Sequence, residues 1–148
     1  LTRLIIKQLG GFRKPCDCPS LIPVRIDNFT SLKVVVNAGN GSAGPALDAI
    51  EKAIKPNTQI LYFETLTNPL LKLVDIKGLV AIAKKHRLRL VLDATFTTPI
   101  GCKPLEMGAD LVIHSASKYL NGHSDLIAGV VAGSRKLVDQ IWPKGWSI

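Results

Sequence analysis

The chain has 148 residues, of which 47% are hydrophobic and 20% are charged, so it is long and apolar enough for one modest core and is not compositionally disordered. Its net charge of +8 is scattered rather than clustered, so we predict no nucleic-acid partner. No apolar run reaches the roughly 18 residues of a membrane span, and no export signal is recognisable, so the expected compartment is the cytoplasm.

The three cysteines have no histidine at zinc-finger spacing, so we expect free thiols and no metal site. Residues 1–31 are weakly patterned and are broken by three prolines, so we predict no defined structure for them. Residues 32–148 are predicted to form a single α/β domain. A chain that begins with leucine is also expected to be incomplete or processed.

Apolar runs and helical spacing predict an alternating order of elements after residue 31. The predicted strands are 33–37, 59–64, 88–93, 110–114 and 126–132. The predicted helices are 45–54, opened by Pro45, 76–86, capped by Asp75, a short helix at 104–107 that Gly108 ends, and 135–141, capped by Ser134. Because these strands carry continuous apolar runs, we predict a three-layer α/β fold with a mostly parallel sheet.

Polar side chains that could bind a ligand or take part in catalysis lie at the carboxyl ends of three predicted strands. They are Glu64, Asn68, Asp93, Thr95, Ser115, Ser117 and Lys118. In an open α/β sheet, ligands bind in the crevice outside these strand ends. The sequence therefore predicts one site at this edge, although its members lie far apart along the chain.

The residue types at this edge suit a phosphorylated pyridine aldehyde. A lysine amine can condense with an aldehyde, and hydroxyl groups at a turn can hold a phosphate. A carboxylate beside a pyridine nitrogen keeps the ring protonated. Ordinary roles stay open for some members: Asp93 as a turn cap, Asn68 as a turn residue before Pro69, and the two serines as partners of loop backbone groups.

Three motifs, in order, resemble the pyridoxal-phosphate (PLP) enzymes of Cys/Met metabolism. They are Glu64-Thr-Leu-Thr-Asn-Pro69, Asp93-Ala-Thr-Phe96 and His114-Ser-Ala-Ser-Lys-Tyr-Leu-Asn-Gly-His-Ser-Asp125. This family includes cystathionine γ-synthase, the cystathionine lyases, methionine γ-lyase and the O-acylhomoserine sulfhydrylases. The resemblance covers about residues 50–141. It implies the type I PLP fold, PLP as cofactor, and elimination or replacement at the C–S bond of a sulfur amino acid.

The resemblance also implies a role for each residue of the predicted site. Lys118 would be the Schiff-base lysine and Asp93 the partner of the pyridine nitrogen. Ser115 and Ser117 would bind the phosphate, and Asn68 would lie near the phenolic oxygen of the ring. Glu64 and Thr95 would support the same site. Ser117 stands where many relatives have threonine, and Asp93-Ala94 replaces the commoner Asp-Asn.

Parts of the family's site have no match in this sequence. They are the Gly-Met phosphate turn, the tyrosine that stacks on the ring, and the arginine that binds the substrate carboxylate. We therefore expect a truncated form with little or no activity alone. Family members form homo-oligomers and act on small substrates of the cystathionine, methionine, cysteine or O-acylhomoserine class.

Residues 32–50 also resemble, more weakly, the opening of the second domain of α-D-phosphohexomutases. The phosphoserine and metal loops of that family are not found in the sequence. A non-catalytic fragment or a fusion chain with a mutase-like segment is therefore the alternative interpretation.

Overall fold

The computed structural model describes residues 2–8, 33–37 and 45–141. Six strands form one sheet in the order β1-β6-β5-β4-β3-β2. The strands are β1 (Thr2–Gln8), β2 (Lys33–Asn37), β3 (Thr58–Glu64), β4 (Arg89–Asp93), β5 (Leu111–Ser115) and β6 (Ala128–Ser134). The helices are α1 (Pro45–Ala53), α2 (Ile76–His86), α3 (Thr98–Gly101) and α4 (Arg135–Ile141).

Four neighbouring strands, β2 to β5, run parallel, and β6 is antiparallel to both β5 and β1. The predicted α/β class with a mostly parallel sheet is therefore confirmed. The sequence left residues 1–31 without structure, but Thr2–Gln8 forms an edge strand of this sheet. Residues 40–44, whose glycine-rich sequence is typical of a turn, lie outside the described residues.

One apolar cluster joins α1 and α2 to the sheet. Leu61, Leu90 and Leu92 are fully buried in it, and Leu79 of α2 packs against them. Burial of each such side chain contributes about 1.5–3 kcal/mol. This packing explains why the helix and strand predictions in this region agree with the structure to within one or two residues.

Helix α2 begins and ends as its sequence predicts. The side chain of Asp75 accepts a hydrogen bond from the backbone N–H of Gly78 at 3.0 Å, and thus caps the first turn. Arg87 terminates the helix in the left-handed conformation, with φ of 56°. Such a residue turns the chain out of the helix and leads it directly into β4.

The prediction of a short helix at 104–107 is wrong. This segment instead forms consecutive turns, in which Met107 N–H donates to the Pro104 carbonyl at 3.1 Å and Gly108 N–H to the Leu105 carbonyl at 3.1 Å. The bonds are i to i+3, and Gly108 leaves the turn with φ of 106°. Helix α3 lies just before this segment in the chain, and it was not predicted from the sequence.

Strand β6 lies two residues later than predicted, at Ala128–Ser134 rather than 126–132. Ser134 nevertheless precedes α4 as expected, and its hydroxyl accepts a hydrogen bond from Leu137 N–H at 3.4 Å. Among the residues that the structure describes, no helix combines the length and apolar character needed to cross a membrane.

Candidate active site

The candidate site lies where β3, β4 and β5 end. These strands are neighbours and parallel, and Glu64 of β3 pairs with Asp93 of β4, which pairs with Ile113 of β5. Side chains of paired residues lie on the same face, and alternate residues of a strand share a face. Glu64, Asp93 and Ser115 therefore share one face at the carboxyl edge of the sheet.

Three hydrogen bonds hold the Asp93 carboxylate. Its Oδ1 accepts from the backbone N–H of Thr95 at 2.9 Å and from the Thr95 hydroxyl at 2.5 Å. Its Oδ2 accepts from the phenol of Tyr62 at 3.1 Å. Donors on both oxygens fix the direction of the carboxylate.

Thr95 also connects β4 to β5. While its hydroxyl donates to Asp93, its Oγ1 accepts from the backbone N–H of Ser115 at 2.8 Å. The Thr95 N–H bond to Asp93 is the turn-capping contact considered above for this carboxylate. Asp93 therefore caps its own turn and also lies at the strand end, so capping is compatible with a role in binding a ligand.

Tyr62 contacts the candidate site, although it was not among the site residues predicted from the sequence. Its pKa is raised to about 12, first by burial and then by the neighbouring charges of Asp93 and Glu64. Tyr62 precedes Glu64 by two residues in a strand, so the alternation of side chains already placed them on one face. The misleading signal was the apolar run around it, which is typical of a fully buried strand.

Lys118 lies in the turn that follows β5, and it is exposed. Its backbone N–H donates to the Ser115 carbonyl at 3.1 Å, and its carbonyl accepts from Gly122 N–H at 2.9 Å. This turn brings the lysine to the same edge of the sheet as Asp93. Nearby, the rings of Phe96 and Tyr119 are 5.8 Å apart and inclined at 59°.

The two serines differ in their contacts. The Ser117 hydroxyl oxygen accepts from Ala128 N–H at 2.9 Å and lies 3.4 Å from the Ala128 carbonyl, so it fastens the turn to β6. Because the longer contact is weak, the hydroxyl proton can be redirected while the oxygen still accepts. Ser115 ends β5 and is half-buried.

Asn68 is exposed, in the loop after β3. Its backbone N–H donates to Glu64 Oε2 at 3.3 Å, and its bond to Pro69 is cis. Glu64 thus braces the loop that carries Asn68. The buried Thr65 fixes the base of this loop, since its N–H and hydroxyl both donate to the Asp93 carbonyl, at 2.8 and 3.1 Å.

His114 is buried, and within the described residues its Nδ1 has no hydrogen-bond partner. Its pKa is lowered by burial, against opposing contributions from Asp93 and the Ala94 backbone. By alternation His114 faces away from Ser115, into an apolar groove of about 700 Å³ that Val112 and Val130 also line. This groove is on the opposite face of the sheet from Asp93.

The sequence of this chain is similar to those of known enzymes. The family model of the Cys/Met metabolism PLP-dependent enzymes matches residues 28–143. The chain is 55% identical over 87 residues to the cystathionine beta-lyase MetC of Staphylococcus haemolyticus, covering 59% of this chain and 22% of the relative. It is 50% identical over 99 residues to the L-methionine gamma-lyase of Pseudomonas putida, covering 67% and 25%.

A cystathionine gamma-synthase of Haemophilus influenzae is 43% identical over 123 residues, covering 82% of this chain and 32% of the relative. The crystal structure of cystathionine gamma-lyase from Lactobacillus plantarum complexed with L-serine matches with a TM-score of 0.61 and 46% identity, covering 64% of this chain and 25% of that one. The predicted fold, as part of a type I PLP domain, is thereby confirmed. The chain spans between 22% and 32% of the length of these relatives.

The family match begins at residue 28, so it includes the segment that also resembled the phosphohexomutases. That weaker resemblance gains no support from the relatives, which are lyases and a synthase with sulfur amino-acid names.

Proposed function

Because this chain belongs to the Cys/Met metabolism PLP-dependent enzymes, we propose that it carries the lysine-bearing part of a PLP site. The observation that carries the proposal is the Asp93 carboxylate, held by Tyr62 and Thr95 at the end of β4, next to β5, whose following turn contains Lys118. The enzyme to which this part belongs would act on the C–S bond of a small sulfur amino acid, by elimination or replacement.

The groups at this edge fit the cofactor by their chemistry. A pyridine nitrogen needs a carboxylate partner, and Asp93 is half-buried and hydrogen-bonded there. An aldehyde needs an accessible amine, and Lys118 is exposed in the turn after β5. A phosphate needs hydroxyl donors, and Ser115 and Ser117 flank that turn.

When bound, PLP supplies an aldehyde for the amine and a protonated ring that accepts electrons from the substrate. Lys118 Nζ would hold the cofactor and, once substrate displaces it, take the α-proton. Asp93 would keep the ring nitrogen protonated. Ser115 Oγ would donate to the phosphate, and Ser117 would do so with its redirected proton while its oxygen keeps Ala128 N–H.

Asn68 and Glu64 would act at the phenolic oxygen of the ring. The exposed Asn68 amide would donate to the phenolic oxygen of the cofactor, while Glu64 holds its backbone in place through the 3.3 Å bond. Thr95 would keep Asp93 in register with β5 through the Ser115 N–H. We assign no metal to this chemistry.

The proposal is tested by adding PLP to the purified chain. We expect a visible absorption band that borohydride reduction converts into a stable label, which peptide mapping places on Lys118. Lys118→Ala should lose both the band and the label. Lys103→Ala is the matched control, because it removes another exposed lysine, which among the described residues pairs with Glu106 at 3.5 Å. Equal labelling in Lys118→Ala would contradict the proposal.

Turnover is a separate question. Release of thiol and keto acid from cystathionine or methionine should be slow for this chain alone, because the arginine and the stacking tyrosine implied by the resemblance have no match in its sequence. PLP labelling of Lys118 without turnover would favour the non-catalytic fragment. Rapid turnover by the chain alone would refute the expected dependence on those parts.

A further inference from the structure

The acceptor sites of Asp93 are unequally used. A carboxylate oxygen offers about two acceptor positions. Oδ1 accepts two hydrogen bonds from Thr95, at 2.9 and 2.5 Å, and is thereby filled. Among the described residues, Oδ2 accepts one hydrogen bond, from Tyr62 at 3.1 Å, and retains one position. A further donor to this carboxylate must therefore approach Oδ2.

The register of the sheet determines the side from which Tyr62 approaches. Tyr62 pairs with Val91, and Glu64 pairs with Asp93. Tyr62 therefore lies two residues before the end of β3, on the same face of the sheet as Glu64 and Asp93. Its phenol therefore reaches Oδ2 from the amino-terminal side. A ligand that donates to the remaining position of Oδ2 would therefore approach from the other side, beyond the strand ends.

We propose that Tyr62 is a positioning residue for the cofactor: its phenol orients Asp93 so that the remaining acceptor position of Oδ2 meets the protonated ring nitrogen. The inference rests on the proposed function and adds a residue to it. Tyr62 would share one oxygen with the ring nitrogen, so the orientation that the phenol gives to this oxygen is the one that the ring nitrogen meets.

Tyr62 can act as a donor across the physiological pH range. Its pKa is raised to about 12 by burial and by the charges of Asp93 and Glu64, so the phenol keeps its proton. Glu64 of β3 carries a neighbouring charge on the face of this pair, whereas His114 of β5, whose pKa is lowered mainly by burial, lies on the opposite face of the sheet. Neither competes for the phenol proton in the structure.

The test is Tyr62→Phe, which removes one oxygen and keeps the ring. We expect PLP to bind about tenfold less tightly, since a hydrogen bond to a charged group is lost. We also expect the pH profile of the absorption band to change, because the ring nitrogen would meet a carboxylate that the phenol no longer orients. A role in packing alone would lower the melting temperature and leave this profile unchanged.

Two further variants separate the possible causes. Tyr119→Phe removes the other phenol of the chain, which is 59% exposed, and should leave both readouts unchanged. In an Asp93→Asn background, Tyr62→Phe should have no additional effect, because the two residues act through one contact. If the wild-type chain forms a band and Tyr62→Phe matches its affinity and pH profile, the role of Tyr62 is refuted alone. No band in the wild-type chain refutes the proposed function, and this role with it.

Discussion

Removing the Thr95 hydroxyl should destabilise the connection between β4 and β5. Thr95→Val preserves the shape of the side chain but deletes the oxygen that donates to Asp93 at 2.5 Å and accepts from Ser115 N–H at 2.8 Å. The Ser115 N–H would then lose its partner, while Asp93 would keep the Thr95 N–H and Tyr62. Two separate costs therefore follow from one substitution.

The magnitude follows from these two contacts. A hydrogen bond to a charged group contributes about 1.5–3 kcal/mol, and an unsatisfied donor costs about 1–3 kcal/mol. Because Ser115 is half-buried and Asp93 keeps two donors, the lower end of each range applies. We expect Thr95→Val to lower the free energy of unfolding by about 2.5 kcal/mol.

The assay is urea unfolding followed by far-ultraviolet circular dichroism. With a slope of about 2 kcal/mol per molar urea, the midpoint should fall by about 1 M. Thr95→Ser is the matched control, because it keeps the hydroxyl and loses one half-buried methyl group, at a cost of about 0.5 kcal/mol. An unchanged midpoint for Thr95→Val, or an equal loss in Thr95→Ser, would show that the hydroxyl does not carry this connection.

Three other substitutions test the framework. Gly133→Ala should cost about 1–3 kcal/mol, because a Cβ there would lie 2.9 Å from the Asp110 carbonyl oxygen, which the backbone holds in place, and 2.5 Å from Leu111 Cδ2. Gly129→Ala, with its nearest neighbour at 4.0 Å, should be near neutral, and a similar melting temperature for both variants would contradict the packing. Because the pKa of His114 is lowered below 6.5 in the folded chain, His114 binds a proton more readily in the unfolded chain. The free energy of unfolding should therefore fall as pH decreases from 7 to 5. His114→Phe should weaken this dependence in urea titrations. Asp75→Ala should cost about 1 kcal/mol by thermal unfolding through the loss of the α2 cap, and an unchanged melting temperature would argue against the cap.

The predicted site residues were found because their chemistry differs from that of the surrounding sequence. A carboxylate at the end of an apolar strand and a lysine after Ser-Ala-Ser are unusual in a core, so Asp93 and Lys118 were recognisable. Tyr62 was missed because aromatic residues are common in buried strands. Only the pairing of β3 with β4 shows that its phenol is within reach of the Asp93 carboxylate.

The predicted elements show a similar division. Strands β3 to β5 and helix α2 were predicted to within two residues, because apolar runs and the Asp75 cap are local signals. Thr2–Gln8 was not predicted as a strand, since an edge strand depends on a partner about 126 residues away for its hydrogen bonds. The turns at 104–108 were predicted as a helix because one turn of local spacing cannot distinguish i to i+3 bonds from a helix.

The order of apolar runs, the helix cap and the three motifs determined the α/β class and the family, and they predicted the lysine and the carboxylate of the candidate site. These features are local, and each lies in consecutive residues. The tertiary structure decided which oxygen of Asp93 has an unused acceptor position among the described residues, which serine hydroxyl already bonds to β6, and that the Tyr62 phenol contacts Asp93. Those facts depend on strand register and on directional hydrogen bonds between segments distant in sequence, which periodicity and composition do not specify.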